Sequence, residues 1–239
     1  MIVTPRPQRV AAVVSAVLDR GVACFLNKVP AASTVGLAAL DAAVGARSGR
    51  FMTSSVLRFA PGVRALAEEL AGQDPIAVHV SVRHSIDVFT TPERRWQDDP
   101  NDGGGTAISM GLHAWEMFDA LLDRPVTPLG GVTGRLPGTR TISENTAAFH
   151  AVAAGGIPVS VDVVGAGSTE GYDVTVHTES GVHRMSLDGS DHHRSLGYLD
   201  CMQVALAMAA GAPSPVPWER SRAVVETTLA AAQLARVGN

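Results

Sequence analysis

Residues 2–30 read IVTPRPQRVAAVVSAVLDRGVACFLNKVP, and the order of apolar and breaker residues in this stretch decides the fold. Met1 to Thr4 is a short apolar run closed by Pro5 and Pro7, the pattern of a brief strand. Val10, Val13, Val14 and Val17 recur at helical spacing, which predicts a helix from Val10 to Leu18 with Gly21 beyond its end. Val22 to Leu26 is a second apolar run, too short for a stable helix and suited to a buried strand. Strand, helix and strand in that order make a βαβ unit, whose two strands run parallel.

Beyond this unit, Ser33 or Thr34 can cap a helix that runs to about Gly45, and Phe51 to Leu57 reads as a strand. Pro61 opens a helix with Val63, Leu66, Ala67 and Leu70 on one face. From Ile76 to Arg83 the alternation is strict. Ile76, Val78, Val80 and Val82 are expected on one side, and Ala77, His79, Ser81 and Arg83 on a polar second side. The loop Thr91 to Gly105 ends in a glycine triplet and leads into a helix bearing Trp115, Phe118 and Leu122.

Strands are expected around Gly130–Gly134, Ala147–Ala153, Pro158–Val164, Tyr172–Thr178 and Val182–Leu187. Glycine turns at 155–156, 165–167 and 181 suggest an antiparallel meander. Two helices close the chain, Leu196–Ala210 stopped by Gly211 and Trp218–Val237 stopped by Gly238. The expected class is α+β, a largely antiparallel open sheet with helices on one face, preceded by the βαβ unit. The division expected is 1–32 and 33–239.

Composition excludes several function classes. The 239 residues carry 19 basic and 23 acidic side chains, a net charge of −4, and the arginines are scattered. No basic stripe exists to neutralise a run of phosphates, so no nucleic acid is expected. The longest uncharged stretch, Cys201 to Trp218, is broken by Gly211, Pro213, Pro215 and Pro217, and no membrane span is expected there. The N-terminus lacks the apolar core of a secretory signal, which points to a cytoplasmic protein. Cys24 and Cys201 sit in apolar surroundings without metal-ligand spacing, as reduced thiols do.

Lys28 is the only lysine in the chain. It follows the strand Val22–Leu26, at the edge where open α/β sheets hold ligands, and an amine can exchange its proton or form a Schiff base near neutral pH. A codon bias toward arginine would leave the same pattern. His113 lies at the start of its helix, where the helix dipole is expected to keep the imidazole neutral and able to act as a base. A histidine bonding its own helix start is an equal alternative. Asp191, His192 and His193 match no strong metal-ligand spacing, so no metal is expected. Gly165-Ala166-Gly167 lacks the third glycine of a dinucleotide fingerprint, having Glu170 there, and reads as a hairpin turn.

Several stretches together resemble the Gfo/Idh/MocA oxidoreductase family, the glucose-fructose oxidoreductase and inositol dehydrogenase group. The opening segment resembles the family's strand with TP, helix, and strand ending in the EKP motif, where Asn27, Lys28 and Pro30 stand with Val29 inserted. VLRFAPGVRAL (56–66) resembles its RFxP segment, and WQDDPNDGGGTAISMGLHAWEMFDALL (96–122) its tryptophan, glycine triplet and GxH helix. APSPVPWERSRAVVETTLAAAQLA (212–235) resembles its C-terminal helix. The resemblance implies that Lys28 and His113 act together on a substrate hydroxyl or carbonyl. With composition and resemblance both meeting on Lys28, a functional amine is favoured.

Departures from the pattern shape the rest. Ser109 stands where the family has an aspartate four residues before the histidine, and Asn27 stands for the glutamate of EKP. The family's first strand and glycine fingerprint have no counterpart, so residues 1–32 read as a remnant of a Rossmann domain. Without a fingerprint the pyrophosphate has no helix N-terminus to rest on. The expectation is therefore no cofactor, with NAD(P) disfavoured, and a cofactor-independent acid–base enzyme of isomerase, lyase or cyclase type acting on a small molecule. The alternatives are an oxidoreductase whose cofactor is held in a non-standard way or by a partner chain, and a non-catalytic partner of a full-length relative. Lys28 and His113 are the expected catalytic residues. Asn27, Arg58, Trp96 and Ser109 are expected to line the substrate site, Arg58 for an anion or carbonyl oxygen and Trp96 as an apolar wall. The resemblance also implies a homodimer formed through the open sheet face.

Overall fold

The computed structural model describes residues 1–3, 5–53 and 56–237. Thr4, Ser54 and Ser55, and Gly238, on which parts of the expected first strand, the 51–57 strand and the last helix stop fell, lie outside the described residues.

The opening segment folds as its spacing predicts. Strand β1 (Ile2–Val3), helix α1 (Val10–Leu18) and strand β2 (Cys24–Leu26) form a parallel unit, with Ile2 opposite Phe25. Val10, Val14 and Val17 are buried, because their spacing puts them on the helix face that meets the sheet. Helix α2 (Thr34–Val44) starts at Ser33, whose hydroxyl oxygen accepts from the Gly36 amide at 3.1 Å, and Ser33 rather than Thr34 is therefore the cap. Strand β3 (Phe51–Thr53) pairs parallel with β2. The small sheet thus has the order β1-β2-β3 and reaches past residue 32. A boundary at that residue would cut through it. The expected strand 51–57 gives way after Thr53 to a 3₁₀ turn at Val56–Phe59, which leads into helix α3 (Pro61–Glu69).

A second, six-stranded sheet follows. Its strands are β4 (Pro75–Ser85), β5 (Val126–Gly134), β6 (Thr146–Ala153), β7 (Ile157–Val164), β8 (Ala166–Thr178) and β9 (Gly181–Asp188). Their order is β5-β6-β7-β4-β8-β9. The expected meander is corrected here: β4 is inserted between β7 and β8, parallel to the first and antiparallel to the second. The 165–167 turn is therefore no hairpin, since the strands it joins do not pair with each other. Gly165 crosses the end of β4, its carbonyl accepting from the Ile86 amide at 2.7 Å. A Cβ at this position would lie 2.1 Å from Thr106 Oγ1 and 2.8 Å from Ile86, so only glycine lets the chain pass. Within β4, Val78, Val80 and Val82 are buried as expected, but Ile76 is exposed. A register shift between Pro75 and Ala77 ends the alternation on that side.

Helices α3, α5 (Gly111–Leu122) and α8 (Trp218–Val237) cover one face of the large sheet. The short helices α4 (Thr106–Ser109) and α6 (His192–Ser195) precede α5 and α7 (Tyr198–Ala209), respectively. Trp115, Phe118 and Phe149 are fully buried between helices and sheet, in one core that also holds Val10, Leu26 and Ala235. Removing an aromatic side chain from such a core costs about 3–5 kcal/mol. The parallel unit and the large sheet share this core. The other sheet face is polar, with His79 bonded to Ser160 at 2.9 Å and Arg83 paired with Asp173 at 2.8 Å. Among the described residues no helix is long and apolar enough to cross a membrane.

Candidate active site

Lys28 leaves β2 at the C-terminal edge of the parallel sheet. The Asn27 side chain turns the chain there by accepting the Lys28 amide at 2.8 Å, and Val29 and Ala31 anchor the following residues in the core. The Lys28 ammonium donates to the Ser109 carbonyl at 3.3 Å and lies 3.6 Å from Met110 Sδ. Burial, with the charge of Glu170 opposing it and that of Arg94 adding to it, lowers the amine from its ordinary 10.5 to about 8. The loss of hydration is the main cause, as the charged form gains little in a dry setting.

His113 is the third residue of α5 and is buried. Its amide donates to the Met110 carbonyl at 3.0 Å, and α4 runs up to the start of α5. Burial first, then the charges of Lys28 and His84, hold the imidazole well below its ordinary range. The helix dipole invoked from sequence is thus not the leading cause. The outcome is the same, a neutral ring at pH 7. Its Nδ1 is buried and receives no hydrogen bond from the described residues.

Both side chains open on one cavity of about 580 Å³. Asn27, Trp96 and Ser109 also line it. Ser109 contributes its backbone carbonyl to Lys28, while its hydroxyl donates to the Gly105 carbonyl at 2.5 Å. Arg58 is the exception among the expected substrate contacts. It lies away from the cavity, almost fully buried, paired with Asp119 at 2.5 Å and Glu116 at 3.5 Å. Burial opposes its charge, but the two carboxylates outweigh that and raise its proton affinity. Arg58 is therefore a packing cation that ties the 56–59 turn to α5. Arg220 of α8 joins the same Asp119 at 2.8 Å.

Sequence reasoning missed one side of the cavity. Glu170 and Tyr172, on β8, line it, and so do His84 and Tyr198. Tyr172 donates to Glu170 at 2.5 Å and meets the His113 ring edge-on at 5.9 Å. A signal was present: Tyr172 and Tyr198 are the chain's only tyrosines. The glycine triplet acts as a turn rather than a phosphate cradle. Gly103 and Gly105 have φ of +76° and +106°, and a Cβ on Gly103 would lie 2.0 Å from that of Ala32. Cys24 and Cys201 are free and buried, and burial pushes their thiols up to about 11 and about 12, so neither is a ready nucleophile. No group of three or more metal-binding side chains converges among the described residues.

No family model and no curated protein matches the chain. Solved structures do match, over essentially all of it. GenD2 from gentamicin A biosynthesis, in complex with NAD, is 21% identical with a TM-score of 0.82, covering 100% of this chain and 77% of its own. Myo-inositol dehydrogenase from Lactobacillus casei, in complex with NAD(H) and myo-inositol, is 16% identical with a TM-score of 0.79, over 98% of this chain and 75% of its own. An oxidoreductase from Agrobacterium radiobacter, in complex with NAD+, L-tartaric acid and magnesium, is 17% identical with a TM-score of 0.73, over 97% and 76%.

These three NAD complexes overturn the expectation of a fold without a cofactor. Pro5, Asn27 and Lys28 line the cavity together, and the latter two carry an amide and an ammonium able to hydrogen-bond the oxygens of such a group. For the pyrophosphate, the described residues contain no glycine-rich turn at the start of α1, which is preceded by Pro5 and Pro7. The chain has the fold of the Gfo/Idh/MocA-type oxidoreductases, as its motifs suggested, and carries a lysine and a histidine on one cavity of that scaffold.

Proposed function

We propose that this chain is a nicotinamide-linked oxidoreductase acting on a hydroxyl or carbonyl group of a small molecule. The observation that carries the reading is the meeting of the only lysine with a neutral, buried histidine on one cavity. A nicotinamide, when bound, would supply hydride chemistry at the substrate carbon. The chain's own residues handle the proton. An amine near 8 can take the hydroxyl proton in one direction and return it in the other, and the neutral His113 serves as second base. Asn27 and Lys28 would hold the ring end, and Trp96 would wall the substrate. Titration with NADH and NADPH, followed by fluorescence, is expected to show saturable binding of at least one. Absence of binding to either at millimolar concentration would overturn the reading.

A redox-neutral isomerisation or elimination by the same pair is the second reading, favoured by the lack of a glycine turn for the pyrophosphate among the described residues. Here Lys28 and His113 would move a proton on and off a carbon beside a carbonyl. Substrate turnover with no change in nicotinamide absorbance distinguishes it. The polar face bearing His79 and Arg83 is proposed as a homodimer contact. Light scattering at micromolar concentration should give twice the chain mass of 24.8 kDa, and a monomer would refute it.

A further inference from the structure

We propose that Glu170, held by Tyr172, is a positioning carboxylate that acts on the Lys28 amine across the cavity they share. The inference deepens the reading above and rests on the same site. Among the described residues Glu170 is the only acidic one lining the cavity. Strand alternation places residues 170 and 172 on one side of β8. There the Tyr172 hydroxyl, itself buried, donates to Glu170 Oε1 at 2.5 Å. Gly189 leaves room beside the other carboxylate oxygen: a Cβ built there would lie 3.1 Å from Oε2. The Tyr172 hydroxyl therefore holds Glu170 in place before any substrate enters.

The groups that share the cavity with Lys28 come from several elements. His84 ends β4, Arg94 belongs to the 91–105 loop, His113 is on α5, Glu170 and Tyr172 are on β8, and Tyr198 opens α7. Arg94 opposes the ammonium and Glu170 favours it, while burial works against it more strongly than either. Neutralising Glu170 leaves the positive charges of the site unopposed from its own lining. Tyr172 touches both His113 and Glu170, its ring packing on the imidazole and its hydroxyl restraining the carboxylate. The same carboxylate thus acts on the proton affinity of Lys28 without touching the reacting atoms.

A single lysine makes the test direct and independent of any substrate. Trace acetylation of the whole folded chain across pH, read by mass spectrometry, reports two amines, Lys28 and Met1. In Glu170→Gln the Lys28 midpoint is expected to fall by about one unit, a roughly tenfold rise in labelling below the midpoint, with Met1 unchanged. Tyr172→Phe should shift it the same way by less, and Glu170→Asp should restore part of the shift. An unmoved Lys28 midpoint in folded Glu170→Gln, or in folded Glu170→Asp and Tyr172→Phe should the first variant not fold, would overturn the proposal. Because no turnover is measured, failure of the oxidoreductase reading would leave these midpoints unaffected and be seen separately in the NADH titration.

Discussion

Replacing Lys28 by methionine is expected to lower turnover by about 10²- to 10⁴-fold while making the protein more stable at neutral pH. The two effects have one origin. Burial lowers the amine from 10.5 to about 8, so the folded state disfavours the charged form that the unfolded chain carries freely. Below pH 8 both states hold the proton and the full penalty is present, on the order of 3 kcal/mol at 1.36 kcal/mol per unit. Between pH 8 and 10.5 the folded amine is already neutral while the unfolded one is still charged, so the penalty shrinks, and above 10.5 it is gone. Methionine, similar in length and uncharged, removes it. Urea unfolding should therefore show the variant ahead of the parent at pH 7 and level with it near pH 10.5. A variant that is no more stable at pH 7, or that keeps full turnover on a secondary alcohol found by screening, would contradict the assignment.

Arg58→Ala is expected to destabilise the fold by about 3–5 kcal/mol. The guanidinium is almost fully buried between Glu116 and Asp119, and Glu116 is itself only 3% exposed. Taking the cation away leaves buried carboxylate charge short of its partner, whereas Asp119 retains Arg220. Since Arg58 stands away from the cavity, substrate KM should remain within about twofold at a temperature where the variant is folded. Chemical unfolding and steady-state kinetics on the same sample check both statements. A large rise in KM with little change in stability would return Arg58 to the substrate site.

These two residues also mark what was legible beforehand. Lys28 was visible because composition isolates it and because a short apolar run before a turn puts its successor at a strand's C-terminal edge. Helices α1 and α3 followed from apolar spacing, and Ser33 from capping chemistry. Arg58 misled because an arginine beside a motif has the same sequence signature whether it faces a ligand or two carboxylates. Its partners lie 58 and 61 positions away, beyond the reach of local pattern. Glu170 and Tyr172 were hidden for a related reason. They were read as part of a hairpin and its neighbouring strand, and only the insertion of β4 between β7 and β8 brings this end of β8 over the cavity.

That insertion also dictates an order of assembly. Val78 and Val80, on β4, pair with Val159 and Val161 on one side and with Val176 and Val174 on the other. The middle of the large sheet therefore cannot close until segments some eighty to a hundred positions apart have met, and loop-closure entropy must be met before those contacts repay it. A nascent chain ending before β7 would hold β4 with neither neighbour, an open ladder prone to pairing with other chains. Truncations that remove β4 should leave β7 and β8 joined by a one-residue link yet unable to zip together. Slow, non-local folding is thus the cost of placing Glu170 in the same cavity as Lys28.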